Sequence, residues 1–237
     1  GVVMARDADE HWDPQEQKNL YLIASRYLEE SQDRGFPKGR KDHAIYLLGS
    51  TMFRGGRLEE SIPFLEKSLK ASENYSRELN LLLTLANLRQ AEPNIEKAVI
   101  HNEHFLASSG LDTQQRMQGL ILRGEILLKL GRFDDAQKTL DDLFLVLKPI
   151  LGSGNVLKME EQPKISQKER SRWQAIASEA FVLESLVGMA SVKKLQGAEA
   201  DPDAIKTALT GMKDRLLLAR ERRLDSGASN FLLGKIQ

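Results

Sequence analysis

His101-Asn102-Glu103-His104 carries the densest chemistry in this chain. Histidines three positions apart can share a helix face, and an acid lies between them. Zinc wants three or four converging ligands. With 4 histidines and no cysteine in all, no other cluster completes a site, and the pair reads as ordinary surface histidines. His11 beside Trp12 reads as a flank. Gly152-Ser153-Gly154 suggests a phosphate cradle, but a P-loop needs its glycines followed by Lys-Ser or Lys-Thr between strand and helix. Neither part is present. There is no Gly-x-Ser-x-Gly elbow, and no Ser-His-Asp set can be nominated. The absence of cysteine removes thiolate nucleophiles, disulfides and thiolate metal sites together. The acid pairs Asp134-Asp135, Asp141-Asp142 and Glu160-Glu161 read as solvated helix starts or faces, because catalysis needs converging groups with shifted pKa values. The expectation is no enzyme, no metal and no cofactor.

The basic runs Lys38, Arg40, Lys41 and Arg220, Arg222, Arg223 are flanked by acids. Lys plus Arg equals Asp plus Glu at 34 each, so the basic surplus of a nucleic-acid binder is missing, and no nucleic-acid partner is expected. No apolar run approaches the roughly 18 residues of a spanning helix, and no signal-peptide pattern is visible. Membrane insertion is therefore not expected, and cytoplasm and periplasm both stay open. Asn74-Tyr75-Ser76 is a glycosylation sequon that matters only in a secretory eukaryotic context.

The elements around these residues repeat. One unit reads Gly124, Leu127, the turn Leu130-Gly131-Arg132-Phe133, Asp134-Asp135-Ala136 and Leu140. An earlier copy reads Leu48-Gly49, Met52, the turn Gly55-Gly56-Arg57-Leu58, Glu59-Glu60-Ser61 and Leu65. A looser copy lies between them, with Leu85-Ala86, the break Glu92-Pro93-Asn94-Ile95, Glu96-Lys97-Ala98 and Asn102. Small residues recur twelve positions apart in each (Gly49 and Ser61, Ala86 and Ala98, Gly124 and Ala136), and the copies are offset by 37 and then 38 residues. A unit of this size cannot bury its apolar face alone, so neighbours must stack.

Residues 1–12 are expected to be a frayed, flexible start. Asp13-Pro14-Gln15-Glu16 opens a helix with an N-cap carboxylate and proline at its first position, so 13–40 holds an N-terminal helix, half a repeat. Three hairpins fill 41–148, and 149–165 is a loop. Ser166-Gln167-Lys168-Glu169 has the pattern of a capping box, and 166–224 is read as a hairpin of longer C-terminal helices. Phe231-Leu232-Leu233-Gly234 echoes Tyr46-Leu47-Leu48-Gly49, so 225–237 is taken as the start of a truncated further repeat or tail, and the chain as a piece of a longer protein. No segment alternates at period two, and the fold class is all-α.

Leu48-Gly49, Gly131-Arg132-Phe133-Asp134-Asp135-Ala136 and Pro149 resemble the tetratricopeptide repeat family. The aromatic positions depart from its signature, holding Met52, Arg89 and Leu127, then Leu65, Asn102 and Leu140, and no unit has the opening Trp. The spacing is three to four residues longer than the family's. The resemblance implies a right-handed superhelix of antiparallel helix hairpins whose concave groove is lined by the first helix of each pair. On that mapping the groove shows His43, Tyr46, Ser50 and Phe53, then Asn80, Leu83, Asn87 and Gln90, then Gln118, Ile121, Glu125 and Leu128. The family commonly binds extended peptides or partner helices there. The Lys, Asn and Arg of its carboxylate-clamp subclass are matched here only by Asn87. The functional expectation is a non-catalytic scaffold for another protein or peptide. The alternatives are a small-ligand or signalling-peptide module under 149–165, and a structural spacer or self-assembly unit in which copies associate.

Overall fold

Asp13 accepts hydrogen bonds from the backbone N–H groups of Gln15 and Glu16 at 2.8 and 3.3 Å, with Pro14 supplying a preset φ at the first position. This cap opens α2, Pro14–Asp33. The computed structural model describes residues 1–71, 75–151, 167–197 and 202–222. Before α2 lies α1, Val2–Glu10, and after it come α3 (Lys41–Arg54), α4 (Leu58–Ala71), α5 (Ser76–Arg89) and α6 (Ile95–Ala107). Then follow α7 (Thr113–Lys129), α8 (Phe133–Leu151), α9 (Gln167–Gly197) and α10 (Pro202–Arg222). Among the described residues there is no strand. The helices pack consecutively as adjacent pairs, the arrangement of a tetratricopeptide-like helical repeat. The chain divides into two compact units, Gly1–Ser109 and Gly110–Gln237.

In the first unit the hairpins are α1–α2, α3–α4 and α5–α6, with α2 on α3 and α4 on α5. Residues 2–10, expected to fray, instead form α1. Ala5 and Ala8 are buried against α2, and Gln17 Nε2 donates to the Ala8 carbonyl at 2.9 Å, satisfying a helix end. Leu28, Leu48 and Met52 form one core cluster, with Phe64 packed on it. Leu65, Leu79, Leu82 and Leu83 form another. Gly49 is needed where α3 crosses α4, because a Cβ there would lie 3.0 Å from Leu65 Cδ2 and 3.1 Å from its backbone nitrogen.

The turns show how the period is kept. Arg57 N donates to the Met52 carbonyl at 2.9 Å, and Arg132 N to that of Leu127 at 2.9 Å. Gly56 and Gly131 take the left-handed conformation this closure requires, with φ of 89° and 70°. The middle hairpin has no such glycine, yet Asn94 N reaches the Asn87 carbonyl at 2.9 Å. The acceptors Met52 and Asn87 are 35 residues apart, and the donors Arg57 and Asn94 are 37 apart. The Pro93 break therefore holds two extra residues, and the offset of 37 fits the second helices but not the first. Burial agrees with the 35-residue offset: Ile45, Leu48, Gly49 and Met52 are buried on α3, and Asn80, Leu83, Thr84 and Asn87 on α5.

In the second unit α7 pairs with α8 and α9 with α10, and α9 also packs on α7 and α8. Gly124 faces Leu183 of α9, whose Cδ2 would lie 2.8 Å from an added Cβ. Its closest neighbour is thus a third helix, whereas Gly49 meets its hairpin partner. The stretch Ala175–Lys194 of α9 is long and apolar enough to span a membrane by composition alone, with a mean hydropathy of 1.5. This corrects the expectation that no such segment exists. Its Ala177, Ala180, Phe181, Leu183, Val187 and Val192 are buried, as in the core helix of a packed bundle. Most of the 149–165 segment and all of 225–237 lie outside the described residues.

Candidate functional site

Arg54, the last residue of α3, ties the first helices of the three hairpins in unit one together. Its Nη1 donates to Asp9 Oδ1 of α1 at 2.7 Å, and its Nη2 to Glu78 Oε1 of α5 at 3.3 Å. The guanidinium also donates to Tyr21 Oη at 3.0 Å, and it stands 5.4 Å over that ring, a cation–π contact. Desolvation pulls the Arg54 pKa down, but Tyr21, Asp9 and Glu78 outweigh it and raise it. The Tyr21 phenol, donating to Asp9 at 2.5 Å, has its pKa raised by burial and by that carboxylate. The Arg54 guanidinium therefore stays charged and the Tyr21 phenol neutral across the neutral range.

Beside this network lie three rings. Tyr46 and Tyr75 stack with centroids 4.2 Å apart and planes 10° apart. The His43 ring lies 6.1 Å from Tyr46, and its Nδ1 is 3.4 Å from Tyr75 Oη. Tyr46 Oη donates to Glu78 Oε2 at 2.7 Å. Burial, then that carboxylate, raises the Tyr46 pKa far above its ordinary value, so this group does no acid–base work near neutral pH. The result is a hydrogen-bonded face with aromatic surface at one end, an ion-paired arginine beside it, and exposed His43 and Asp9 at its edges.

The residues expected in the groove divide by helix. On α3, His43 is exposed and Tyr46 half-buried, while Phe53 packs partly against the Leu65–Leu79–Leu83 cluster. Ser50 is buried and donates to the Leu47 carbonyl at 3.1 Å. On α5, Asn80, Leu83 and Asn87 are buried, with exposures of 5, 0 and 1%; the two extra turn residues put them at the inward positions of α3. Asn80 Nδ2 donates to the Ser76 carbonyl, and its Oδ1 lies 3.0 Å from His101 Nδ1 of α6. Asn87 Nδ2 donates to the Leu83 carbonyl at 2.8 Å. The outward positions of α5 are Glu78, Leu81 and Leu85, each half-buried. Gln90 instead helps line an open cleft of about 390 Å³ at the hairpin turns, with Gly56–Glu60, Arg89 and Ala91.

On α7, in the second unit, Gln118 is exposed and Ile121, Glu125 and Leu128 are half-buried along one stripe, while Met117, Leu120, Gly124 and Leu127 face inward. His101 is spent on Asn80, and Asn102 is buried. Sequence reasoning missed Arg54, Glu78, Asp9 and Tyr75. Their only signal was that Arg54 and Glu78 both end up on first helices, and Tyr75 sits just ahead of α5 as its N-cap residue.

A face of side-by-side first helices, bound to one another through polar groups, defines a helical-hairpin repeat protein. Residues 42–75, which span α3 and α4, match the family model described as tetratricopeptide repeat, and repeats of that family generally mediate protein–protein interaction. No curated protein and no solved structure matches the chain.

Proposed function

We propose that this chain is a non-catalytic interaction module that captures a peptide or partner helix on the face formed by α1, α3 and α5. The observation that carries the reading is Arg54 bridging Asp9 and Glu78 beside the Tyr46–Tyr75 stack. A preassembled face loses little conformational entropy on binding, and aromatic residues with arginine are the residue types on which binding energy concentrates. The partner's apolar side chain would lie across the tyrosine rings. Its polar groups would meet His43, Asp9 and Glu78. His43, Tyr46 and Phe53 keep the groove-lining place expected of them, Leu81 and Leu85 replace Asn80 and Asn87, and the α7 stripe is a further contact surface of the second unit.

The test compares proteins recovered on immobilised wild type and on the double variant His43→Ala, Arg54→Gln, quantified by mass spectrometry. Both positions are exposed, so circular dichroism should show the variant folded. Selective loss of one or a few partners is expected. An identical recovery profile rejects this face.

A further inference from the structure

The α2 helix carries a second surface. Lys18, Leu22, Ser25 and Glu29 of α2 meet the α3–α4 turn: Gly56 packs on Lys18, Gly55 on the Leu22 backbone, and Arg57 bonds Ser25 and Glu29. Away from that side run Glu16, Leu20, Ile23, Tyr27, Glu30 and Arg34. Their spacing of four, three, four, three and four is the seam period of paired helices. Ile23 and Tyr27 are 38 and 52% exposed. At the Tyr27 position the next copy of the repeat is covered. Phe64 of α4, 37 residues after Tyr27, packs on the cluster of Leu28, Leu48 and Met52.

We propose that this seam binds the same seam of a second copy, antiparallel, about a two-fold axis at the level of Ser25. Residues whose numbers lie equally far either side of 25 then face each other. Ile23 of one copy meets Tyr27 of the other, twice, forming the apolar centre. Glu16 meets Arg34 of the second copy at both ends, and Leu20 lies along the stem of Glu30. A parallel arrangement would place Glu16 on Glu16, Glu30 on Glu30 and Arg34 on Arg34, stacking like charges, so charge selects the antiparallel one. Arg34 is free to serve, since its contact with Glu30 is 3.9 Å long with 82% of its side chain exposed. An isologous contact closes at two copies. The seam shares no residue with the Tyr46–Arg54 face.

Sedimentation equilibrium of the 237-residue chain across micromolar concentrations tests this. A reversible monomer–dimer equilibrium is expected for wild type. Ile23→Glu with Tyr27→Glu should leave the helical spectrum unchanged and weaken dimerisation more than tenfold. Glu16→Arg alone should weaken it severalfold, and adding Arg34→Glu should restore it. A wild type that is monomeric at every concentration overturns the proposal, as does a dimer indifferent to the Ile23, Tyr27 pair. Failure of the charge exchange to restore association overturns the antiparallel register.

Discussion

Asn80→Ala is the most discriminating single substitution, because an outward-facing residue and an inward-facing one give opposite results. Asn80 is 5% exposed; it donates to the Ser76 carbonyl at 2.8 Å and lies 3.0 Å from His101 Nδ1 of the next helix. Truncation removes a neutral hydrogen bond, about 0.5–1.5 kcal/mol, and leaves a half-buried imidazole nitrogen without its partner, about 1–3 kcal/mol. A total of about 2–3 kcal/mol is expected. Unit one has 109 residues, for which each kcal/mol moves Tm by about 4 °C, so the loss should be about 8–12 °C. A double-mutant cycle with His101→Ala, read by urea denaturation, should return a coupling of about 1–2 kcal/mol. A coupling below about 0.3 kcal/mol, with Tm nearly unmoved, would refute the inward orientation of α5 and restore Asn80 to a groove.

Gly49→Ala should lower stability by up to about 2 kcal/mol, overpacking against the Leu65 backbone outweighing a helix-propensity gain of about 1 kcal/mol. Gly124→Ala should cost less, because its neighbour is the movable end of Leu183; chemical denaturation gives the order. Arg57→Met should cost about 1–3 kcal/mol. It strands Glu29, which Arg57 binds through two bonds of 2.7 and 2.8 Å, and Lys at 57 should recover only part on thermal melting. His101 has its pKa lowered, chiefly by burial. Well above its ordinary value of 6.5 it is neutral folded or unfolded, and it contributes no slope. As pH falls below that value the unfolded chain binds a proton that the folded one resists, and stability drops. His101→Gln should flatten that part of a urea-midpoint profile between pH 7.5 and 5, and an unchanged slope would contradict the shift.

The helical class, the hairpin pairing and the cap at Asp13 were legible because period, N-cap chemistry and turn glycines all point the same way. Residues 2–10 hid their helix because the inward stripe of Met4, Ala5 and Ala8 is short and mostly small, while the bulkier Val2 and Val3 lie off it, and tertiary packing on α2 decides the matter. The face of α5 was illegible for a different reason. Leucines at 79, 81, 82, 83, 85 and 88 surround the helix, so no apolar stripe marks its inner side, and orientation had to be borrowed from neighbouring copies. That borrowing carried the two surplus turn residues into the helix and turned its face inside out. Arg54 and Glu78 could not be singled out because their role arises from distance across three helices, which spacing within one helix does not encode.

The hydrogen bond that closes α3, α5 and α7 has one further implication. It forms across turns of two lengths, with glycine and without it, and the buried side of α3 and of α5 stays in phase with that bond rather than with residue count. The connection between paired helices can therefore gain or lose residues while the helix upstream keeps its phase. Insertions or deletions at the loop edge can reshape the cleft around Gln90 without redrawing the face formed by α1, α3 and α5.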